Sequence, residues 1–360
     1  GFEILKIKSN QEVLMITIII NIITFLLFYV LNIQNSFSSI SQIKYPLTYL
    51  SIALNIFIIT KTRINKFGKL IFILPIIIIF YIEILSGSYA FPFTILIFVY
   101  VFYFYLTRKI IFIPIILTIF IFLFLHTYKF EFRSKTWNFD HPTNNLLYKS
   151  KSLVNSFKET NEIFFAKSIS DKLNFLKNRN LLRIFHSTES LIIVTKQTPN
   201  PIPYWKGETY KILLIKIIPR VFWSNKPSDR LGNEFGHRYN ILYDGNLKNN
   251  KKKDIGTSWN MPVLNEFYVN FGDIGTFLGM LMWGIVLRLF VTYFSTKNHD
   301  NYEFIIGFTA LFPLFFLESH LSIVLGSILQ TIIFLFLIIF TLKLIIKKTN
   351  QFILNEKKNN

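Results

Sequence analysis

The chain has 360 residues, 52% of them hydrophobic, a formal net charge of +19 and no cysteine. Without Cys there is no disulfide, no iron–sulfur cluster and no thiol nucleophile. The basic residues are scattered and no nucleic-acid-binding module is visible, which counts against DNA or RNA as a partner.

Hydropathy then sets the class. Several blocks approach or exceed the ~20 apolar residues that span a bilayer. The first expected span is 13–33; it is too long for a signal-peptide core and lacks a small-residue cleavage site. A polar link, 34–44, leads to a shorter span at 46–60, then a basic loop with Lys61, Arg63, Lys66 and Lys69. The third span is 70–85, followed by a tight turn at Ser86-Gly87-Ser88. The fourth is 90–106, Arg108-Lys109 forms a basic turn, and the fifth is 110–127. A long polar region follows, then spans at 274–294, 302–317 and 321–346.

This pattern predicts an all-α polytopic membrane protein with about eight transmembrane helices and one large external loop. Its parts are spans 1–5 in residues 1–127, the loop in 128–273, spans 6–8 in 274–346, and a basic, frayed tail in 347–360. The basic links at 61–69, at Arg108-Lys109 and after Lys347 fall on one side, which orientation rules make cytoplasmic. Both termini are then expected in the cytoplasm, with 128–273 outside.

Within that loop, 129–180 is polar and expected to pack weakly. Residues 181–194 carry a helix-like apolar pattern, and Pro199, Pro201 and Pro203 then break regular structure. Residues 208–221 read as an interfacial helix and 248–254 as a solvated loop. Residues 262–271 read as a short helix leading into the sixth span.

The polar chemistry gathers between 217 and 275. Arg220 and Lys226 bracket Trp223 between Pro219 and Pro227. Arg binds phosphate bidentately, Lys binds it as a point charge, and Trp stacks on sugars or anchors at headgroups. An ordinary interfacial belt of Trp, Arg and Lys is the competing reading. Arg183 and His186 share a helix face, suited to a ligand or to a headgroup. Glu266 lies just before the sixth span, where a carboxylate at the edge of a dry region serves as general base or pairs with a nearby Arg. Asp273 reads as a helix cap, and Gly275 with Gly279 as a packing face. Glu83 is an acid inside an apolar span, with snorkelling as its bland explanation. Glu318 and His320 face the same compartment as Glu266, either as site residues or as loop residues. Neither Asp-x-Asp nor His-Glu-x-x-His occurs, and there is no P-loop or dinucleotide glycine pattern.

Ile218-Pro219-Arg220, Trp223, Lys226-Pro227, Thr257-Ser258 and Glu266-x-Tyr268-x-Asn270-Phe271-Gly272-x-x-Gly275 together resemble the Wzy-type O-antigen and oligosaccharide repeat-unit polymerases. Arg183 and the stretch from Thr198-Pro199 to Gly207-Glu208-Thr209-Tyr210 fit the same family's loop. The likeness covers residues 183–284 and is topological elsewhere. Eight spans is fewer than this family usually has, which points to a shortened N-terminus, and Tyr89 stands where many relatives carry a basic residue.

The resemblance implies a GT-C-like, metal-independent transferase of the plasma (inner) membrane that uses no cofactor. Its substrate would be oligosaccharide repeat units on undecaprenyl diphosphate, joined on the periplasmic face. Glu266, Arg220 and Arg183 would be catalytic. Lys226, Trp223, Tyr210, Ser258, Tyr268, Asn270 and His320 would bind substrate. Membrane lipid, a chain-length regulator and a flippase are the partners it implies. An O-antigen ligase-like enzyme is the nearest rival, with the same donor and another acceptor. A lipid-linked oligosaccharide flippase would need polar residues along its spans, which here look nearly pure Ile, Leu and Phe.

Because the chain lacks cysteine, Asn250→Cys supplies a unique label. An impermeant maleimide is expected to label it from outside the cell; protection of that site in intact cells would overturn the topology.

Overall fold

In the computed structural model the described residues are 6–7, 9–31, 38–137, 145–165, 182–216, 218, 223, 225–227, 229–241, 259–296, 301–315, 317–326 and 328–359. They are almost wholly helical, with no β-strand among them. Among the described residues seven helices are long and apolar enough to cross a membrane: Asn10–Val30, Ile43–Lys61, Lys66–Ile84, Ala90–Thr107, Phe112–Lys129, Val263–Phe294 and Leu321–Thr349. They match the expected spans except at 302–317, where the apolar stretch is shorter, Tyr302–Phe315. Its α-helix stops at Leu311 and tightens to a 3₁₀ turn over Phe312–Phe315. Pro313 sits in that turn, where a missing N–H and a restricted preceding residue discourage further α-helix.

The chain divides into two compact units, residues 1–184 with 342–360, and residues 185–341. In the first, the helix Ser38–Lys61 is central. Residues 47–58 are all buried, including Leu50, Ile52, Leu54 and Ile58, because helices Asn10–Thr24, Lys66–Ile84 and Ala90–Thr107 pack around it. A helix apolar on every side is stable only when enclosed in this way. The spans are less pure than their composition suggests. Asn21 and Asn55 exchange amide hydrogen bonds at 3.0 Å, and Ser51 Oγ donates to Asn21 Oδ1 at 2.6 Å. Such bonds hold helices together where lipid offers no hydrophobic driving force.

Glu83 does not snorkel. It is buried and pairs with Lys44 at 2.7 Å, and the Lys44 ammonium also lies 5.2 Å from the centre of the Tyr29 ring. A buried charge persists only when paired in this manner. Nor is 129–180 uniformly loose. The fifth long helix runs on to Thr136, and Leu146–Phe165 forms a helix packed against it. Phe157 sits on Phe124 and Tyr128, and Tyr128 Oη donates to Asn161. The Ser86–Ser88 turn forms as expected, with Gly87 at φ 73°. Its carbonyls accept from Arg133 Nε at 2.8 Å and Trp137 Nε1 at 2.9 Å. The tail expected to fray instead continues the last helix to Asn359, in keeping with its Lys, Gln, Leu and Glu content.

In the second unit the element Val263–Thr296 breaks at Gly272, which has φ 67° and ψ −151°. Residues 263–271 are therefore a separate short helix, as the sequence predicts, and the apolar span begins after the break. Only glycine takes this conformation cheaply, and a Cβ there would also meet Tyr204 Oη at 2.7 Å. Gly275 and Gly279 are a packing face, but toward this preceding helix: a Cβ at Gly279 would lie 2.5 Å from the Phe267 ring. Beyond it Ile274, Phe277, Leu281, Met282 and Leu289 are exposed, a surface suited to lipid. The other face of 263–271 joins a core of Val194, Trp205, Leu231, Phe235, Tyr239, Met261, Tyr268 and Val269. The expected helix over 181–194 is present as Leu182–Gln197. The expected one over 208–221 is a 3₁₀ turn, Glu208–Tyr210, and a short helix, Lys211–Lys216. The loop at 248–254 lies outside the described residues.

Glu83→Ala is expected to cost about 3–5 kcal/mol, since it leaves Lys44 uncompensated. Adding Lys44→Met to it should recover much of that loss in thermal unfolding in detergent. Additive losses from the two changes would show that the pair is not coupled.

Candidate functional site

The helix of residues 263–271 fixes Glu266. Its N–H bonds to the Pro262 carbonyl at 2.9 Å, which starts the helix and puts the carboxylate in the first turn, where the helix dipole favours it. The side chain is fully buried, at 0% exposure. Oε2 accepts the Leu321 N–H at 2.7 Å and so caps the start of the helix Leu321–Gly326. Oε1 is buried and makes no close hydrogen bond, the Thr209 side chain being the other hydrogen-bonding neighbour of this carboxyl. A buried carboxylate oxygen is costly when short of donors, so a further donor is favoured there.

His320 precedes that same helix, and its carbonyl accepts the N–H groups of Ile323 at 3.0 Å and Val324 at 3.2 Å. It is 2% exposed. Its Nε2 lies 2.9 Å from Asp229 Oδ1, while Nδ1 is buried without a partner. Asp229 Oδ2 accepts from Ser322 Oγ at 2.7 Å and from Lys216 Nζ at 3.0 Å. Lys216 reaches Asp229 by passing over Gly326, where any Cβ would collide with its side chain. The Lys216 carbonyl in turn accepts from Gln330 Nε2 at 2.7 Å and Lys226 Nζ at 3.0 Å.

Burial by itself would raise the pKa of Asp229. The hydrogen bond from His320, the positive charge that imidazole can carry, and the hydrogen bonds from Ser322 and Lys216 more than offset it. They hold the carboxyl well below the usual range, so Asp229 is ionised. Tyr210 stands close by. Its hydroxyl is buried, and burial together with the charge of Glu266 pushes its pKa well up against the opposing hydrogen bond with the Asn270 side chain. It stays a neutral phenol, able to donate or accept a hydrogen bond. His320 Nδ1 is the buried atom of the site with no hydrogen bond among the described residues.

The expected site residues divide into those that meet here and those that do not. Glu266, His320 and Tyr210 meet. Lys226 is buried, but its Nζ donates to the carbonyls of Lys216 and Ile218, so it braces the loop instead of presenting an open cation. Asn270 is also structural. Its Nδ2 donates to Thr209 Oγ1 at 2.9 Å and to the Glu266 carbonyl at 2.7 Å, and its Oδ1 accepts the Gly207 N–H at 2.8 Å. Tyr268 points into the hydrophobic core on the other face of its helix, with its hydroxyl 3.4 Å from the Thr198 carbonyl. Trp223 is 38% exposed. Arg220 and Ser258 lie outside the described residues, and of Arg183 only the helical backbone is described. Asp273 is exposed just after the Gly272 break, at the start of the span where a cap belongs.

Asp229, Lys216, Ser322 and Gln330 were not singled out in the sequence. Asp229 carried one usable signal, as the only acidic residue between Glu208 and Glu234 in a stretch rich in cations.

Described residues that are almost wholly helical, with seven helices among them long and apolar enough to cross a membrane, define a membrane-embedded protein. A family model described as "Domain of unknown function (DUF8712)" matches residues 3–352, and the chain belongs to that family. No curated protein and no solved structure matches it.

Asp229→Asn is expected to lower the melting temperature. The depressed pKa means that the carboxylate's contribution is complete above its unfolded-state value of about 3.9 and is lost as pH falls through the lower folded value. The gap between wild type and variant should therefore persist from neutral pH to about 4 and narrow only below it. A gap that closes well above pH 4 would show that Asp229 is not held ionised.

Proposed function

We propose that this protein is a membrane glycosyltransferase that joins oligosaccharide repeat units carried on undecaprenyl diphosphate, at the external face of the plasma membrane. The observation that carries this reading is Glu266, wholly buried, with Oε2 fixed by the Leu321 N–H, Thr209 as its other hydrogen-bonding neighbour, and no close hydrogen bond on Oε1. A sugar hydroxyl is a donor that such an oxygen accepts from. The Glu-x-Tyr-x-Asn-Phe-Gly stretch that carries Glu266 is also one of the motifs whose order and spacing resemble the repeat-unit polymerases.

In this reading the hydroxyl of the incoming unit donates to Glu266 Oε1, which orients its oxygen toward the anomeric carbon of the growing chain. The new C–O bond forms as the bond to the lipid diphosphate breaks. The diphosphate leaves with the electron pair, and the hydroxyl proton passes to a protein base. Arg220 and Arg183 stabilise the leaving diphosphate, since their planar forks suit phosphate oxygens. Lys226, committed to two carbonyls, holds Lys216 and Ile218 in place. Tyr210, stacked against Phe271 at 6.3 Å between ring centres, contributes a hydroxyl to the sugar site. The arrangement goes with a GT-C-like bundle of eight spans with both termini cytoplasmic, the stretch Tyr302–Phe315 serving as the seventh.

The lipid-linked products of a deletion strain test the reading. Single units retained with long chains lost is the expected result; long chains that accumulate unattached would identify a ligase instead. Glu266→Gln should fold and bind the lipid donor yet lose most of its turnover, as the loss of a group that orients the attacking hydroxyl does. Equal loss of binding and turnover would make Glu266 a purely structural residue.

A further inference from the structure

We propose that His320 Nδ1 is the base that takes the proton of the attacking hydroxyl, and that Asp229 is the positioning residue that makes it one. This rests on the transferase reading above. The geometry comes from three segments distant in sequence. Asp229 holds His320 Nε2 at 2.9 Å across 91 residues of chain, while Ser322 Oγ and Lys216 Nζ occupy its other oxygen at 2.7 and 3.0 Å. With its carboxylate committed to three donors, Asp229 offers Nε2 only an acceptor, so the ring's proton resides on Nε2. The lone pair of a neutral imidazole is then on Nδ1. Nδ1 is buried and has no partner. Glu266 Oε1, which makes no close hydrogen bond, belongs to the carboxylate that holds the N–H of Leu321, the residue next to His320.

The two atoms divide the work. Glu266 Oε1 accepts a hydrogen bond and orients the acceptor sugar. His320 Nδ1 removes the proton as the glycosidic bond forms and the diphosphate departs. The resulting imidazolium faces the Asp229 carboxylate, which stabilises the charge that develops in the transition state. Lys216 and Ser322 keep that carboxylate in place, and Gly326 is glycine because Lys216 has to cross it. Asp229 touches no substrate in this scheme; it sets the tautomer and the orientation of His320.

Turnover of undecaprenyl-diphosphate-linked repeat units by membrane vesicles tests this, with wild type, Asp229→Asn, Asp229→Glu and His320→Ala. The expected result is a kcat loss of about 10²–10⁴-fold for His320→Ala and Asp229→Asn, with the KM for the lipid-linked unit little changed. Asp229→Glu should recover part of the loss, since it restores a charged acceptor. Added imidazole should restore turnover to His320→Ala, because removal of a buried ring leaves a cavity of its own shape; a merely structural histidine would not respond. If Asp229→Asn does not fold, the imidazole response of His320→Ala still decides. Wild-type polymerisation together with undiminished kcat in His320→Ala, or no response to imidazole, would overturn the assignment. A wild type that forms no chains from these units would instead sink the transferase reading, and this inference with it.

Discussion

A carboxylate sealed from water has to be met by donors, and two such groups organise the unit of residues 185–341. An isolated ionised carboxylate in a dry interior is prohibitively unfavourable, and one with its lone pairs filled is tolerated. Asp229 collects Lys216, His320 and Ser322. Glu266 collects the Leu321 N–H. Together they tie the helix Lys211–Lys216, the loop at Asp229, the helix of residues 263–271 and the start of the helix Leu321–Gly326 into one cluster. Lys216 serves twice: its ammonium neutralises Asp229, and its carbonyl gathers Lys226 and Gln330. The satisfied atoms hold the cluster together, and His320 Nδ1 is left buried without a hydrogen bond.

The fold was legible where composition alone decides it. Runs of Ile, Leu and Phe long enough to cross a bilayer can do little else, and the helices stand within a few residues of where those runs predict them. The break at Gly272 was legible for a similar reason, since polar residues precede a glycine and an apolar run follows. What escaped the sequence is pairing at a distance. Glu83 looked like an acid free to reach the interface, and Lys44 on another helix gives it a buried partner. The segment 129–180 looked loose because its polar count hides a helix whose Phe157 and Asn161 dock on Tyr128.

The site was legible by residue type and illegible by role. Glu266, Tyr268 and Asn270 sit two residues apart in one motif, yet helical geometry sends them to different tasks. Glu266 and Asn270 lie one turn apart and are joined by a hydrogen bond, Asn270 latching the Glu208–Tyr210 turn. Tyr268 falls on the opposite face and fills the core. Asp229 went unnoticed because it sits in irregular backbone and because its partner His320 is 91 residues away. Lys226 shows the converse: a cation in a basic, aromatic stretch looks like a phosphate ligand until its ammonium is found already committed to carbonyls.

The account turns on where the acceptor sugar goes. A cryo-EM structure of the full chain in nanodiscs, with an undecaprenyl-diphosphate-linked repeat unit bound, addresses that directly. The account predicts a sugar hydroxyl within hydrogen-bonding distance of both Glu266 Oε1 and His320 Nδ1, with the Asp229–His320 contact intact. A repeat unit bound elsewhere, touching neither of those two atoms, would contradict it.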